Sequence, residues 1–248
     1  MAKLSGKVAV VTGASKGIGA AIAEKLGAQG ARVVVNYARD KAGAEKVAGK
    51  IKQSGGEAIA VQADVSKAAD IKKLFAEAKS AFGNIDILVN NAGIYEFRPL
   101  ESVDEEHYRR IFDLNVLGLL LTTKEAVTHM NGGGGSIINV SSIAAKTPPA
   151  ATSVYSATKG AVDVISRVLA LELAPRRIRV NSLSPGATDT EGVRTQAVDG
   201  FEQLAVSRTP LGRMGTADDI AKAALFLASE DSGWITGEQL LVGGGIRL

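Results

Sequence analysis

A doubly wound parallel α/β sheet is the fold class this sequence predicts, and three observations predict it. Short runs of Val, Ile and Leu recur along the chain, segments with helical spacing separate them, and a glycine-rich turn follows the first run directly. Runs that are apolar throughout read as strands covered on both faces, the condition of a parallel sheet. The alternation holds from residue 7 to residue 242 without linker or internal repeat, so one domain spanning residues 1–248 is expected.

"KVAVVT" opens the sheet, and "TGASKGIG" turns the chain into the first helix. Within "IGAAIAEKLGAQG", Ile18, Ile22 and Leu26 share one face, and Gly30 stops the helix. "ARVVVN", "AIAVQ" and "DILVN" read as the next strands. Before the last of these, Ile71, Leu74, Phe75 and Ala78 of "DIKKLFAEAKSAFG" form a single helical stripe. "SIINVS", "RVNSLS" and "QLLVG" complete the series. The stretch 187–215 departs from the pattern. It lacks clear periodicity and carries Asp199-Gly200 and Pro210, so it reads as a substrate lid at the sheet rim.

Composition excludes several function classes. Apolar residues make up 46% of the 248 and charged residues 22%, the profile of a soluble globular chain. A net charge of +3 with no Lys/Arg run argues against nucleic acid. Without cysteine there is no disulfide or thiolate metal site, and His107 and His129 share no ligand spacing, so no metal is expected. The opening "MAKLSGKVAVVTG" breaks its apolar run at Thr12-Gly13, too early for a signal-peptide core, and no run is long enough to span a membrane. A cytoplasmic protein is expected.

Gly13, Gly17 and Gly19 let the backbone turn sharply and approach a pyrophosphate at a helix N-terminus, where free N–H groups favour anions. Their spacing is not G-x-G-x-x-G, and glycine also serves plain strand-to-helix packing. At the end of the second strand, where NAD enzymes place an acid for the ribose, stand Asn36, Tyr37 and then Arg39. Asp40 reads as the start of the next helix. Arg39 and Lys16 either grip a 2′-phosphate, giving NADP(H) preference over NAD(H), or are solvated surface charges. Asp64 in "ADVS" either meets the adenine or caps a helix.

The chemistry sits in "VYSATKGA". On a helix Tyr155 and Lys159 share a face, and an ammonium near a phenol favours the phenolate. Such a tyrosine can give a proton to a carbonyl oxygen while hydride reaches carbon. Ser142 ends the fifth strand, where its hydroxyl can hold the same oxygen. Asn115 in "LNVLG" is disfavoured within a helix; it either bonds locally to backbone or orders a water.

"TGASKGIG", "NNAG", Asn115, Ser142, "YSATK" and "SPGATDT" follow one another, with Ser142 thirteen residues before Tyr155. In these the sequence resembles, over essentially its whole length, a short-chain dehydrogenase/reductase of the single-domain type of about 250 residues. It is similar to 3-oxoacyl-acyl-carrier-protein reductases and NADPH-dependent carbonyl reductases. The resemblance implies a Rossmann-type parallel sheet of about seven strands and Tyr155 as proton donor and acceptor. Lys159 would bind the nicotinamide ribose and lower the tyrosine pKa, Ser142 would polarise the carbonyl, and Asn115 would hold a relay water. Further cofactor contacts are implied for Ser15, Ile18, Ala38, Val65, Asn91, Ala92 and Gly93. Pro185, Gly186, Thr188 and Thr190 would line the nicotinamide. A homotetramer is implied, with a small carbonyl or alcohol as substrate.

Two departures stand out. Where members carry Val-Asp-Gly-Gly near the C-terminus, this chain has Val242, Gly243, Gly244 and Gly245. Where reductases of acyl-carrier substrates carry basic residues before the fifth strand, this chain has "NGGGG" from Asn131, although Arg176 and Arg177 remain for docking. An NADPH-dependent ketone reductase is therefore the leading expectation, before an acyl-carrier reductase and a sugar or polyol dehydrogenase. A non-catalytic dinucleotide sensor would not need Ser142, Tyr155 and Lys159 together. Val193, Ala197 and Phe201 suggest an apolar pocket under the lid.

Overall fold

Strand β1 (Val8–Val11) is buried along its whole length because helices cover both faces of the sheet around it. Its side chains alternate. Ala9 and Val11 enter one core layer, Val8 and Val10 the other. The computed structural model describes residues 2–130, 133–196 and 200–246. After β1 come α1 (Gly17–Ala28), β2 (Arg32–Tyr37), α2 (Lys41–Gln53), β3 (Glu57–Gln62), α3 (Ala68–Phe82) and β4 (Ile87–Asn90). Next, α4 (Glu105–Phe112), a π-helical segment (Asp113–Gly118) and α5 (Leu119–His129) follow without a break. They lead to β5 (Gly135–Val140), the long α6 (Ser153–Leu173) and β6 (Ile178–Pro185). The chain ends with β7 (Thr188–Asp189), α7 (Glu191–Gln196), α8 (Phe201–Ser207), β8 (Gly215–Thr216), α9 (Ala217–Ala228) and β9 (Gln239–Val242).

The main sheet has 7 strands, all parallel, in the order β3-β2-β1-β4-β5-β6-β9. The chain builds outward from β1 to β3, then crosses back to begin the other half at β4. That reversal opens a crevice at the carboxyl ends of β1 and β4, the place where such sheets bind ligands. One layer packs Ile22, Leu26, Val47, Ile51 and Leu227 from α1, α2 and α9 against the sheet. The other packs Leu74, Phe75, Ala126 and Ala170 from α3, α5 and α6.

The helical stripes read from spacing face the core: Ile71, Leu74, Phe75 and Ala78 on α3 and Ile22 and Leu26 on α1 are buried, and Ile18 is partly buried against the same layer. Gly30 turns the chain after α1 at φ +88°, a conformation open to glycine. Stretch 187–215 differs from its irregular reading. Strands β7 and β8 pair in parallel, Thr188 opposite Gly215, and two helices lie between them. At 6 and 7 residues those helices are too short for a helical period to stand out. Ala197 and Asp199, like Asn131, lie outside the described residues. No helix among the described residues is long and apolar enough to cross a membrane.

Candidate active site

The loops after β1 and β4 are stapled by Thr12. Its hydroxyl donates to the Val89 carbonyl at 3.3 Å and accepts from the Asn91 and Ala92 amides, each at 3.0 Å. Asn91 returns the contact through Nδ2, which donates to the Thr12 and Gly13 carbonyls at 2.9 and 3.0 Å. This leaves no room for larger residues. A Cβ on Gly19 would stand 2.4 Å from Asn91 Nδ2 and 2.6 Å from the Gly13 oxygen; one on Gly13 would stand 2.9 Å from Ala92 Cα. Gly13 and Gly17 also hold φ of +60° and +59°. Helix α1 therefore begins bare. Lys16 precedes it with no side-chain cap and no acid lies in its first turn, so its amides face outward with their dipole. The cradle fits a pyrophosphate. Read from the sequence, Thr12 opens "TGASKGIG" and breaks an apolar run; its role as a staple depends on partners distant in the chain.

The ribose corner is built differently from its reading. Asn36 is buried and fully used: its Oδ1 accepts from the Gly13 amide at 3.2 Å, and its Nδ2 donates to the Val61 and Ala63 carbonyls at 3.3 and 3.0 Å. Tyr37 is 6% exposed and packs in the core, so its ring does not face the crevice. Val65 likewise is a core side chain. Lys16, read as a second phosphate cation, instead pairs with Glu191 of α7 at 3.0 Å, because the glycine loop lies beneath that helix. A cavity of about 310 Å³ does open beside β2 and β3, lined by Ala38, Arg39, Gln62, Asp64 and Lys67 among others. Lys67 and Lys73, which sequence reasoning missed, are further cations there, facing Asp64 and Asp70. Asp64 does not cap α3, whose N-cap is Lys67; its side chain accepts from Ser66 instead. Burial raises its carboxyl, but hydrogen bonds from the Ser66 hydroxyl (2.7 Å) and amide (3.1 Å) outweigh this and hold it below its ordinary range. Asp40 caps α2 through the Gly43 amide, as expected.

At the chemical end, β5 delivers Ser142 and α6 delivers Tyr155 and Lys159. The Ser142 side chain stands beside the Tyr155 phenol and favours its phenolate form, and its hydroxyl accepts from the Ala144 amide at 3.1 Å. Lys159 Nζ donates to the Val140 carbonyl at 2.8 Å and stands 5.7 Å from the centre of the Tyr155 ring. Burial pushes the Lys159 ammonium down to about 8, with Asp163 one turn on opposing the shift. Burial also pushes the Tyr155 phenol up, against the effect of Ser142. The expectation that Lys159 lowers this phenol therefore meets a stronger opposing effect in the protein's own fold.

Asn115 lies in the π-helical segment, which answers its poor helix propensity: the wide turn frees its side chain to reach across. Its Oδ1 accepts from the Ile94 amide at 2.9 Å, and its Nδ2 donates to the Ile94 carbonyl (2.9 Å) and the Thr158 hydroxyl (3.1 Å). These partners are distant in sequence, so the bonding is not local. Asn115 and Lys159 converge over Gly93, where an added Cβ would stand 3.1 Å from Asn115 Oδ1 and 3.7 Å from Lys159 Nζ. At the opposite rim, a Cβ on Gly186 would stand 2.7 Å from Gly243 Cα, so β6 and β9 close tightly there. Thr188 is buried with its hydroxyl on the Gly186 carbonyl at 2.9 Å, and Thr190 overlies Gly17. Tyr95, also missed in the sequence, stands beside Tyr155 with ring centres 5.9 Å apart.

A family model described as enoyl-(acyl carrier protein) reductase matches residues 13–247. An uncharacterized oxidoreductase of Methylorubrum extorquens is 58% identical over 249 residues, covering 100% of both chains. A double mutant of a Serratia marcescens short-chain dehydrogenase/reductase superposes with a TM-score of 0.94 at 38% identity, over 99% of this chain and 100% of that one. The chain belongs to the short-chain dehydrogenase/reductase family. Another similar structure, at a TM-score of 0.93 and 38% identity over 98% of this chain and 96% of its own, is the angucycline C-6 ketoreductase LanV with bound NADP. As a short-chain dehydrogenase/reductase the chain is an oxidoreductase of CH–OH and C=O groups that uses NAD(P).

Proposed function

We propose that this short-chain dehydrogenase/reductase is a cytoplasmic, NADPH-dependent carbonyl reductase that reversibly converts a ketone to a secondary alcohol. The observation that carries the reading is the convergence of Ser142 and buried Lys159 on Tyr155, with the Lys159 Nζ 5.7 Å from the centre of the phenol ring. When bound, the nicotinamide supplies or accepts the hydride. Ser142 holds and polarises the substrate carbonyl. Tyr155 gives its proton to the carbonyl oxygen as the carbon is reduced, and Ser142 then steadies the phenolate. Lys159, with an ammonium near 8, can pass a proton to Tyr155 at neutral pH and take another back. Asn115 beside it marks the way a relay water connects that ammonium to solvent.

NADPH is favoured over NADH by Arg39, Lys67 and Lys73, which outnumber Asp64 and Asp70 around the 310 Å³ cavity, and by β2 itself ending in Asn36 and Tyr37 without an acid. Segment 187–215 acts as the substrate lid of a single domain. A homotetramer is supported by apolar side chains left exposed on the outer helices: Val164, Val168 and Leu171 on α6, Tyr108 and Leu120 on α4 and α5.

An acyl-carrier substrate is the second reading, favoured by the description of the matching family model. Against it, Arg176 is committed to the Val127 and Met130 carbonyls at 2.7 and 3.3 Å, closing the end of α5. A panel of ketones, 3-oxoacyl thioesters and sugars, each with NADPH and NADH and followed by nicotinamide absorbance, decides among them. Turnover of thioesters or sugars well above ketones would displace the proposal.

A further inference from the structure

Tyr95 stands in the loop between β4 and α4, outside the Ser142–Tyr155–Lys159 group. Its hydroxyl donates a 2.8 Å hydrogen bond to the Gly192 carbonyl in α7, across 97 residues of chain. Its ring is tilted 57° to Tyr155 and meets Phe97 edge-on, with centres 6.4 Å apart. The residue between the two aromatics, Glu96, is held by Arg110 and by Arg98 at 3.6 Å, so the loop has a fixed shape. Burial pushes the Tyr95 phenol up, which keeps it a neutral donor. Its polar atom is committed to α7, and the surface it shares with half-exposed Phe97 beside Tyr155 is aromatic carbon.

We propose that Tyr95 is a positioning and specificity-determining residue: its hydroxyl latches α7 over the site, and its ring with Phe97 forms a flat apolar wall that selects ketones bearing an aromatic ring. This rests on the carbonyl-reductase reading. A sugar or polyol brings hydroxyls that need partners, and a wall of ring carbon offers none. An aryl group gains offset or edge-on ring contacts, whose usual strength corresponds to about a 2- to 12-fold preference.

Three proteins test both parts: wild type, Tyr95→Phe, which keeps the ring, and Tyr95→Ala, which removes it. Hydrogen exchange of the α7 amides needs neither cofactor nor turnover. Exchange in Tyr95→Phe is expected to rise about fivefold, the worth of one ordinary hydrogen bond. The second readout is the kcat/KM ratio of acetophenone to 2-octanone. Tyr95→Ala should lower it about 2- to 12-fold, and Tyr95→Phe should restore it, which a purely structural role would not do. Unchanged exchange in Tyr95→Phe overturns the latch, and an unchanged ratio in Tyr95→Ala overturns the wall. Wild-type protein that reduces neither ketone, while reducing sugars or thioesters, sinks the carbonyl-reductase reading and the wall with it; exchange then still decides the latch.

Discussion

Lys16 Nζ lies 3.0 Å from Glu191 Oε1, so the loop that forms the phosphate cradle is ion-paired to the helix that begins after β7. Both side chains are more than half exposed, which limits the pair to about 0–1 kcal/mol and makes it sensitive to salt. Glu191→Gln is accordingly expected to leave the melting temperature within about 4 °C of wild type. If the pair also restrains α7, cofactor dissociation should quicken in the variant at low salt and match wild type at high salt. Stopped-flow displacement of NADPH at two ionic strengths measures this.

Gly19 and Asn91 allow a sharper test of the cradle. A methyl at position 19 must displace Asn91 Nδ2, which lies 2.4 Å from where it would sit, together with its bonds to Thr12 and Gly13. Overpacking of this kind costs about 1–3 kcal/mol. Gly19→Ala should therefore lower both the midpoint of urea unfolding and NADPH affinity, the latter at least about tenfold. Gly49→Ala, at an open position inside α2, is the control: it should leave NADPH affinity unchanged and, if anything, raise the urea midpoint, since alanine favours a helix interior over glycine by about 0.5–1 kcal/mol.

Tyr155→Phe deletes one hydroxyl and leaves the ring packed against Tyr95. Turnover should fall about 10²–10⁴-fold, the usual worth of general acid–base catalysis, while NADPH still binds. Near wild-type turnover across the ketone panel would take Tyr155 out of the mechanism.

Lys159 makes stability depend on pH in a direction that can be stated in advance. Burial lowers its folded-state value from 10.5 to about 8, so between those values the unfolded chain holds the additional proton. Stability contributed by this group is therefore present above 10.5 and lost as pH falls through 8. In Lys159→Met the rise in unfolding free energy between pH 8 and 10 should be shallower than in wild type, by up to about 1.4 kcal/mol per pH unit. Denaturant titrations across that range provide the measurement, and parallel slopes would mean the ammonium is not destabilised by burial.

The parts of this site that could be read beforehand are those whose meaning is local in the chain. Tyr155 and Lys159 share a helical face whatever surrounds them, and the glycines after β1 announce a tight turn by composition. What escaped depends on partners far away. Thr12 matters because the Asn91 and Ala92 amides arrive beside it, 79 and 80 residues later. Asn36 and Tyr37 stood where a ribose ligand was expected, yet the sheet turns one into a backbone clamp and the other into core. Asn115 could not be placed because the π turn that frees it follows no helical period visible in its neighbours. Tyr155, Lys159 and Ser142 were legible from helical spacing and strand position, with the resemblance adding their cofactor contacts, whereas Lys67, Tyr95 and the Lys16–Glu191 pair come from the geometry.

Those last displacements reshape the test of cofactor choice. Arg39 is exposed at the cavity beside β2, and losing a charge-assisted hydrogen bond there costs about 1.5–3 kcal/mol. Arg39→Ala should thus lower the ratio of kcat/KM for NADPH over NADH by about 10- to 100-fold. Lys67→Ala should lower it less, since Asp64 lies 3.8 Å from that ammonium and already offsets part of its charge. Lys16→Ala should leave the ratio unmoved, because its ammonium is directed at Glu191. An acid meant to favour NADH does not belong at Tyr37, where it would be buried in the core unpaired and would unfold the protein before changing its preference. Ala38 is exposed at the same cavity, so Ala38→Asp with Arg39→Ala places a carboxylate within the corner and repels a 2′-phosphate. That double variant should prefer NADH. If Arg39→Ala leaves the ratio where wild type has it while Lys16→Ala shifts it, the ion pair opens on cofactor binding and Lys16 is the phosphate ligand after all.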